Sequence, residues 1–212
     1  MHIETFETST TRPEMRAYLP DNCTKILDIG CNDGLFAFTL MQEGREVWGL
    51  EINPQQAEKA AQKITKVIIG DFDEVYESIP KAYFDCIFFN DVLEHMLFPW
   101  DVLAKTKFLL KHGGIIISSL PNFRYAGNLV EILLKKDFEY KQSGILYRTH
   151  FRFFTMKSIA RMYNETGYMI VKNEGIRPSK SWKLKLVSLL TFGFLSDIKY
   201  MQIGTVAKPK AL

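Results

Sequence analysis

The segment Lys25-Ile26-Leu27-Asp28-Ile29-Gly30-Cys31-Asn32-Asp33-Gly34 constrains this chain more than any other. An apolar strand runs into a turn carrying Asp28, Gly30 and Gly34. A helical pattern follows at once, with Leu35, Phe36, Phe38, Thr39 and Leu40 on one face. Glycine lets a backbone approach a ligand without a Cβ clash, and the first amides after such a turn point at whatever binds there. The next strand, residues 46–50, is closed by an acid, Glu51. This order describes a nucleoside pocket at the carboxyl edge of a parallel sheet.

The rhythm continues. Asn53-Pro54-Gln55-Gln56 reads as a helix cap, and further strands are expected at 66–69, 84–89 and 115–118. A helix over about 99–110 is expected to stop at His112-Gly113-Gly114. The strands are apolar throughout, as in a doubly wound α/β sheet covered on both faces. Near the start, Thr11 is a candidate cap for a short helix with Pro13 in its first turn. Past Pro121 the pattern changes to an amphipathic helix (125–136), an aromatic and basic stretch (141–154) and a helix capped by Thr155 (155–166). Late strands are expected at 168–173 and 200–207. Between them lies an apolar run, 182–195, led by Lys180, Lys183 and Lys185. It reads first as a helix packed on the domain and second as a membrane contact. No linker interrupts the chain, so 1–212 reads as one domain, with a cofactor-binding half over 20–120 and a substrate-side half over 121–212.

Composition excludes some classes. The start, residues 1–11, is polar and acidic, unlike a signal or transit peptide. The longest uncharged stretches, 113–123 and 186–196, are too short to cross a bilayer as helices. Cys23, Cys31 and Cys86 have no metal-ligand spacing and read as free thiols, hence a cytoplasmic chain. Net charge is +3, yet residues 1–120 carry −7 and residues 121–212 carry +10. The back half therefore suits either an anionic acceptor or simply solvated lysines.

The motifs D-I-G-C-N-D-G (28–34), Glu51, G-D-F (70–72), F-D-C-I-F-F-N-D-V-L-E-H (84–95) and H-G-G (112–114) resemble class I S-adenosylmethionine-dependent methyltransferases over about residues 20–175. The resemblance implies a Rossmann-like, seven-stranded, mostly parallel sheet with an antiparallel last strand. It implies S-adenosyl-L-methionine as cofactor and S-adenosyl-L-homocysteine as product. Asp28 and Gly30 would meet the methionine moiety, Asn90 its end, Glu51 the ribose, and Asp71 with Phe72 the adenine. Cys31, Asn32, Gly34 and Ile52 complete the cofactor set, and Asn32 stands where that family usually has a glycine. S-L-P-N-F (119–123) and G-I-L-Y-R-T-H-F-R-F-F-T (144–155) resemble a subgroup related to MetW-like and polysaccharide-associated methyltransferases. That implies O-methylation of a small molecule, a sugar or cell-envelope metabolite.

An oxygen acceptor benefits from a base. His95, oriented by Glu94, and His150 are the candidates. Arg148 and Arg152 flank His150 as an anion clamp, and their charge would keep His150 neutral. Asn122 is a candidate hydrogen-bond partner for the acceptor. No metal is expected, because Asp91, Glu94 and His95 would form a site only if folded together. His2 and His112 read as tail and turn residues. Two other functions fit the turn: a nicotinamide-dependent nucleotide-sugar enzyme, which would want a tighter glycine pattern, and a regulatory subunit that keeps the cofactor fold and partners another enzyme. Tyr168 and Lys172 have the spacing of a nicotinamide-enzyme pair but lie in an expected strand. Nucleic acid is not an expected partner, since no N/D-P-P-Y/F tetrapeptide follows the fourth strand. Oligomeric state is open.

Overall fold

The computed structural model describes residues 10–210, so His2 and most of the acidic start lie outside the described residues. In chain order the elements are α1 (Pro13–Arg16), β1 (Lys25–Ile29), α2 (Leu35–Met41), β2 (Glu46–Glu51), α3 (Pro54–Ala61), β3 (Lys66–Ile69) and α4 (Phe72–Val75). Then come β4 (Phe84–Asn90), α5 (Pro99–Thr106), β5 (Leu110–Pro121), α6 (Ala126–Val130), α7 (Met156–Glu165), β6 (Tyr168–Pro178), α8 (Trp182–Leu190) and β7 (Tyr200–Pro209). The seven strands are hydrogen-bonded in the order β3-β2-β1-β4-β5-β7-β6. β1 runs parallel to β2 and β4, and β2 parallel to β3, whereas β6 and β7 are antiparallel.

By its contacts the chain forms two compact units. One comprises the described residues up to Asn90 with Ala104–Ile117, and the other Asp91–Leu103 with the described residues from Ser118 onward. In the first unit, Ile26, Leu27, Ile29, Val47, Phe84, Ile87, Phe88 and Phe89 are buried, which accounts for strands apolar at almost every position. Asn53 caps α3 by accepting from the Gln55 and Gln56 amides. Gly34 opens α2 with φ 78°, and a Cβ there would lie 3.0 Å from Cα of Ala60. Glycine is thus required twice over, by conformation and by the close approach of α3.

In the second unit, Thr155 and Ser158 form a reciprocal capping box at the start of α7. Tyr163 and Tyr168 are fully buried and satisfied, by the Ser118 hydroxyl at 2.8 Å and the Leu103 carbonyl at 2.9 Å.

Local expectations differ from the structure in three places. Thr11 is not a cap: Arg12 precedes α1 in a left-handed conformation, with no side-chain cap. His112-Gly113-Gly114 does not end a helix but lies inside β5, which begins at Leu110, with Gly113 at φ 79°. The helix expected over 125–136 divides into α6 and a π turn, Glu131–Lys135.

Candidate active site

The first unit carries the turn after β1. The Gly30 and Cys31 amides both donate to the Leu50 carbonyl, at 2.8 and 3.1 Å, so they tie the turn to β2. Glu51 extends the same tie. Its Oε2 accepts from the Asn32 amide at 2.8 Å and its Oε1 from the Asn53 amide at 2.9 Å. Each carboxylate oxygen has a second lone pair, so Glu51 keeps acceptor capacity for a ribose while fixing two turns. Lys63 closes the outside by bonding the Asp33 carbonyl and carboxylate. Asn32 adopts φ 50°, a region its short amide tolerates almost as glycine does, which is why asparagine serves there. One residue that pattern reading missed is Gly49. A Cβ on it would fall 2.5 Å from the Cys31 sulfur, so glycine in β2 gives Cys31 its place under the turn.

Asp28 is the unusual group. Its side chain is almost wholly buried and Oδ1 has no hydrogen-bond partner. Burial first, then the charge of Glu51, pushes its carboxyl up to about 7. Both amide atoms of Asn90 are also buried and make no well-formed hydrogen bond; their polar neighbour is the Asp28 carboxyl, whose pKa the amide lowers slightly against the larger effect of burial. Orphaned buried polar atoms are costly, and the donor and acceptors left over here match the ammonium and carboxylate of an amino acid. At the edge of β2, Ile52 is 55% exposed beside Glu51, an apolar surface for a base. Asp71 is exposed and caps α4 by accepting from the Asp73 amide. Phe72 corrects an expectation: its ring is not a cover for adenine but is buried against Tyr76. These residues fit an adenosyl amino acid, and no bound group is needed to explain how they fold.

The second unit brings together Glu94, His95 and His150, although the histidines lie far apart along the chain. The His95 and His150 rings meet edge to face at 4.6 Å between centroids, with Tyr147 edge-on to both. The Glu94 carbonyl accepts from the Phe151 and Arg152 amides, which holds the aromatic stretch against the turn after β4. Nδ1 of His95 lies 3.1 Å from the Thr149 carbonyl and Nδ1 of His150 2.9 Å from the Ile145 carbonyl. A carbonyl can only accept, so His150 carries its proton on Nδ1 and leaves a lone pair on Nε2, whereas Nδ1 of His95 also meets the Thr149 hydroxyl at 3.0 Å, which can donate or accept. Burial, then the neighbouring His150, depresses His95 to about 4, and burial lowers His150 as well. Both imidazoles are therefore neutral at pH 7. The neutrality of His150 comes from burial and not from the flanking arginines, which corrects the expected cause. Arg152 instead donates to the Leu97 carbonyl at 2.6 Å, and Arg148 is exposed. An open depression of about 460 Å³ is lined by Tyr140, Arg148, His150 and Phe151.

Asn122 is another correction. It is fully buried, donates to the Asp197 and Tyr200 carbonyls and accepts from the Arg124 amide, so its hydrogen bonds latch β5 to the approach of β7. Both amide hydrogens are spent and the side chain is fully buried, so it does not reach an acceptor. Nearby, Asp91 sits at φ 57° and accepts from the Ser119 hydroxyl and the Gln202 amide. The expectation of no metal rests on spacing along the chain, and the fold supplies what spacing does not. Ligand atoms of Glu94, His95 and His150 lie within 4.8 Å of one another.

Comparisons with known proteins bear on the family and the fold. Residues 8–173 match the model of a family described as "Methyltransferase domain". A ubiquinone biosynthesis O-methyltransferase from Vibrio atlanticus is 30% identical over 115 residues, 51% of this chain and 48% of that protein. The matched stretch thus spans about half of that relative. One of the same name from Burkholderia pseudomallei is 25% identical over 171 residues, 77% and 71% of the two chains. Among solved structures, a SAM-dependent methyltransferase from Archaeoglobus fulgidus superposes with TM-score 0.72 at 21% identity, over 92% of this chain and 91% of the other. One from Mesorhizobium loti gives 0.65 at 17%, over 92% and 95%. At such identity the likeness is one of fold.

Proposed function

We propose, for a chain that belongs to the methyltransferase-domain family, that it moves a methyl group from S-adenosylmethionine to a hydroxyl oxygen of a small acceptor, a sugar or cell-envelope metabolite. The observation that carries the oxygen assignment is the His95–His150 pair, a half-buried and a buried imidazole that are both neutral, with Nε2 of His150 free of any protein partner. The bound cofactor would supply an electrophilic methyl whose departure leaves a neutral thioether. The chain's own residues bind, orient and deprotonate. Asp28 and Asn90 hold the ammonium and carboxylate, Glu51 the ribose hydroxyls, and Ile52 with Asp71 the base. Nε2 of one histidine accepts the acceptor's hydroxyl proton, with Nδ1 anchored so that the ring keeps its aim. The excess positive charge of residues 121–212 and exposed Arg148 favour an acceptor that carries phosphate or carboxylate.

Calorimetric titration with S-adenosylmethionine and with NADH separates the cofactor readings, and labelled-methyl transfer to nucleotide sugars, phosphorylated sugars and phenols tests the acceptor. Tight cofactor binding with no transfer to any acceptor, together with a co-purifying enzyme, would favour the regulatory-subunit reading. Glu51→Ala is expected to weaken cofactor binding at least tenfold. It also releases the Asn32 and Asn53 amides, which lowers stability by about 1–3 kcal/mol. Unchanged affinity in calorimetry would move the ribose elsewhere.

The grouping of Glu94, His95 and His150 favours one variant reading, in which the three hold a divalent cation that polarises the acceptor. Anchoring of Nδ1 to a carbonyl is also how metal-bound histidines are oriented. Prolonged dialysis against a chelator decides between them. Turnover that survives keeps the histidines as bases, and turnover lost and then restored by Mg²⁺ or Zn²⁺ makes them ligands.

A further inference from the structure

The segment from Gly175 to Ser196 has no acid, yet it carries Arg177, Lys180, Lys183 and Lys185, all exposed. Within it α8 is apolar on two sides. Leu184 and Val187 are half-buried and form the side resting on the protein. Trp182, Leu186, Leu189 and Leu190 recur at helical spacing on the other side, 43–74% exposed. The helix has no fully buried residue, so it packs on the domain through one side only. A helix apolar on more than one side is normally covered on each of them. Past its end the chain turns through Phe192 (φ 48°) and Gly193 (φ 82°), leaving Phe192 wholly exposed and Phe194 82% exposed.

We propose that α8 and the Phe192–Phe194 turn form a docking surface for an anionic lipid bilayer. The charge selects this occupant. Two copies of the surface would bring Lys183 and Lys185 of each chain together with no acid in the segment to neutralise them. An anionic headgroup layer neutralises them directly. The side chains match the depth profile of an interface. Trp182 and the two phenylalanines enter the acyl boundary, leucines follow along the helix, and lysine stems extend their ammonium groups back to the headgroups. None of this depends on methyl transfer.

The test is flotation of the full chain with phosphatidylcholine vesicles, with and without 30% phosphatidylglycerol. Recovery with the anionic vesicles is expected to exceed that with neutral ones at least tenfold and to fall as salt is raised. Phe192→Asp combined with Phe194→Asp, at exposed positions with no packing to lose, is expected to remove most of that recovery. Lys183→Glu combined with Lys185→Glu should abolish the preference for phosphatidylglycerol. Tryptophan emission should shift to the blue on adding anionic vesicles, and Trp182→Phe should cancel the shift. Failure of the wild-type chain to float overturns the proposal. So does a concentration-dependent dimer that the Phe192/Phe194 variant dissolves, because the surface would then belong to a second copy.

Discussion

Asp28→Asn is expected to raise the thermal stability of the free protein while weakening S-adenosylmethionine by about two orders of magnitude or more. In the folded chain the Asp28 carboxyl titrates near 7, against 3.8 for an ordinary aspartate. Between those values the folded state holds a proton that the unfolded chain gives up. The contribution of Asp28 to stability is therefore greatest below pH 4, declines as pH rises towards 7, and stays at its lower level above that. Each tenfold change in proton affinity corresponds to about 1.4 kcal/mol, which sets a ceiling on the order of 4 kcal/mol for the gain from a neutral amide at pH 8. At 2–4 °C per kcal/mol for a chain of this size, the melting temperature should rise by up to roughly 8–16 °C. The binding loss follows from the same burial, since a desolvated ammonium deprived of its carboxylate costs several kcal/mol. A pH series adds an independent check. Wild-type affinity should climb by up to about tenfold per pH unit below pH 7 and level off above it, because only ionised Asp28 pairs with the ammonium. The Asp28→Asn variant should show no such slope. A variant that is less stable and binds as well would mean that Asp28 is a structural residue only.

This trade-off explains why the turn is so legible in the sequence. Asp28, Gly30, Gly34 and Glu51 sit at fixed offsets from strand ends, and strand ends follow from apolar runs and helix caps. What the structure adds to them is local, such as the left-handed Asn32 and the two amides held by Glu51. The second half is less legible for a physical reason. Its contacts join residues far apart in sequence, and no spacing rule anticipates them. Asn122 looks like an available amide until Asp197 and Tyr200 arrive to consume it. Phe72 looks like a lid until Tyr76 packs on it. The apolar run after Lys180 reads as a helix packed on the domain, and only a three-dimensional surface shows that Trp182, Leu186, Leu189 and Leu190 face outward. His95 and His150 each stand out in the sequence, but their meeting requires the aromatic stretch to fold back onto Glu94, which depends on two backbone amides donating to one carbonyl.

That meeting sets the second large effect. His150→Ala is expected to lower kcat by about 10²–10⁴ with cofactor affinity unchanged, the range of a lost general base. His95→Ala should do the same if the two rings act as a unit, and the double variant should then be little worse than either alone. The pH profile separates a base from mere packing. With His95 held near 4 and His150 lowered by burial, both rings are neutral at pH 7. Wild-type kcat should therefore be flat from pH 8 down to about pH 7, with its acidic limb displaced to lower pH than in an enzyme using an exposed histidine. In either alanine variant the acceptor must lose its proton to solvent, so residual kcat should rise with pH across that range. A variant that loses activity but keeps a flat profile would show that the ring supports the fold around Glu94 and takes no proton. Retention of full turnover by both variants would remove the histidines from the chemistry altogether. The reaction would then be restricted to acceptors acidic enough to ionise unaided, such as phenols or carboxylates, and the sugar assignment would fall with the base.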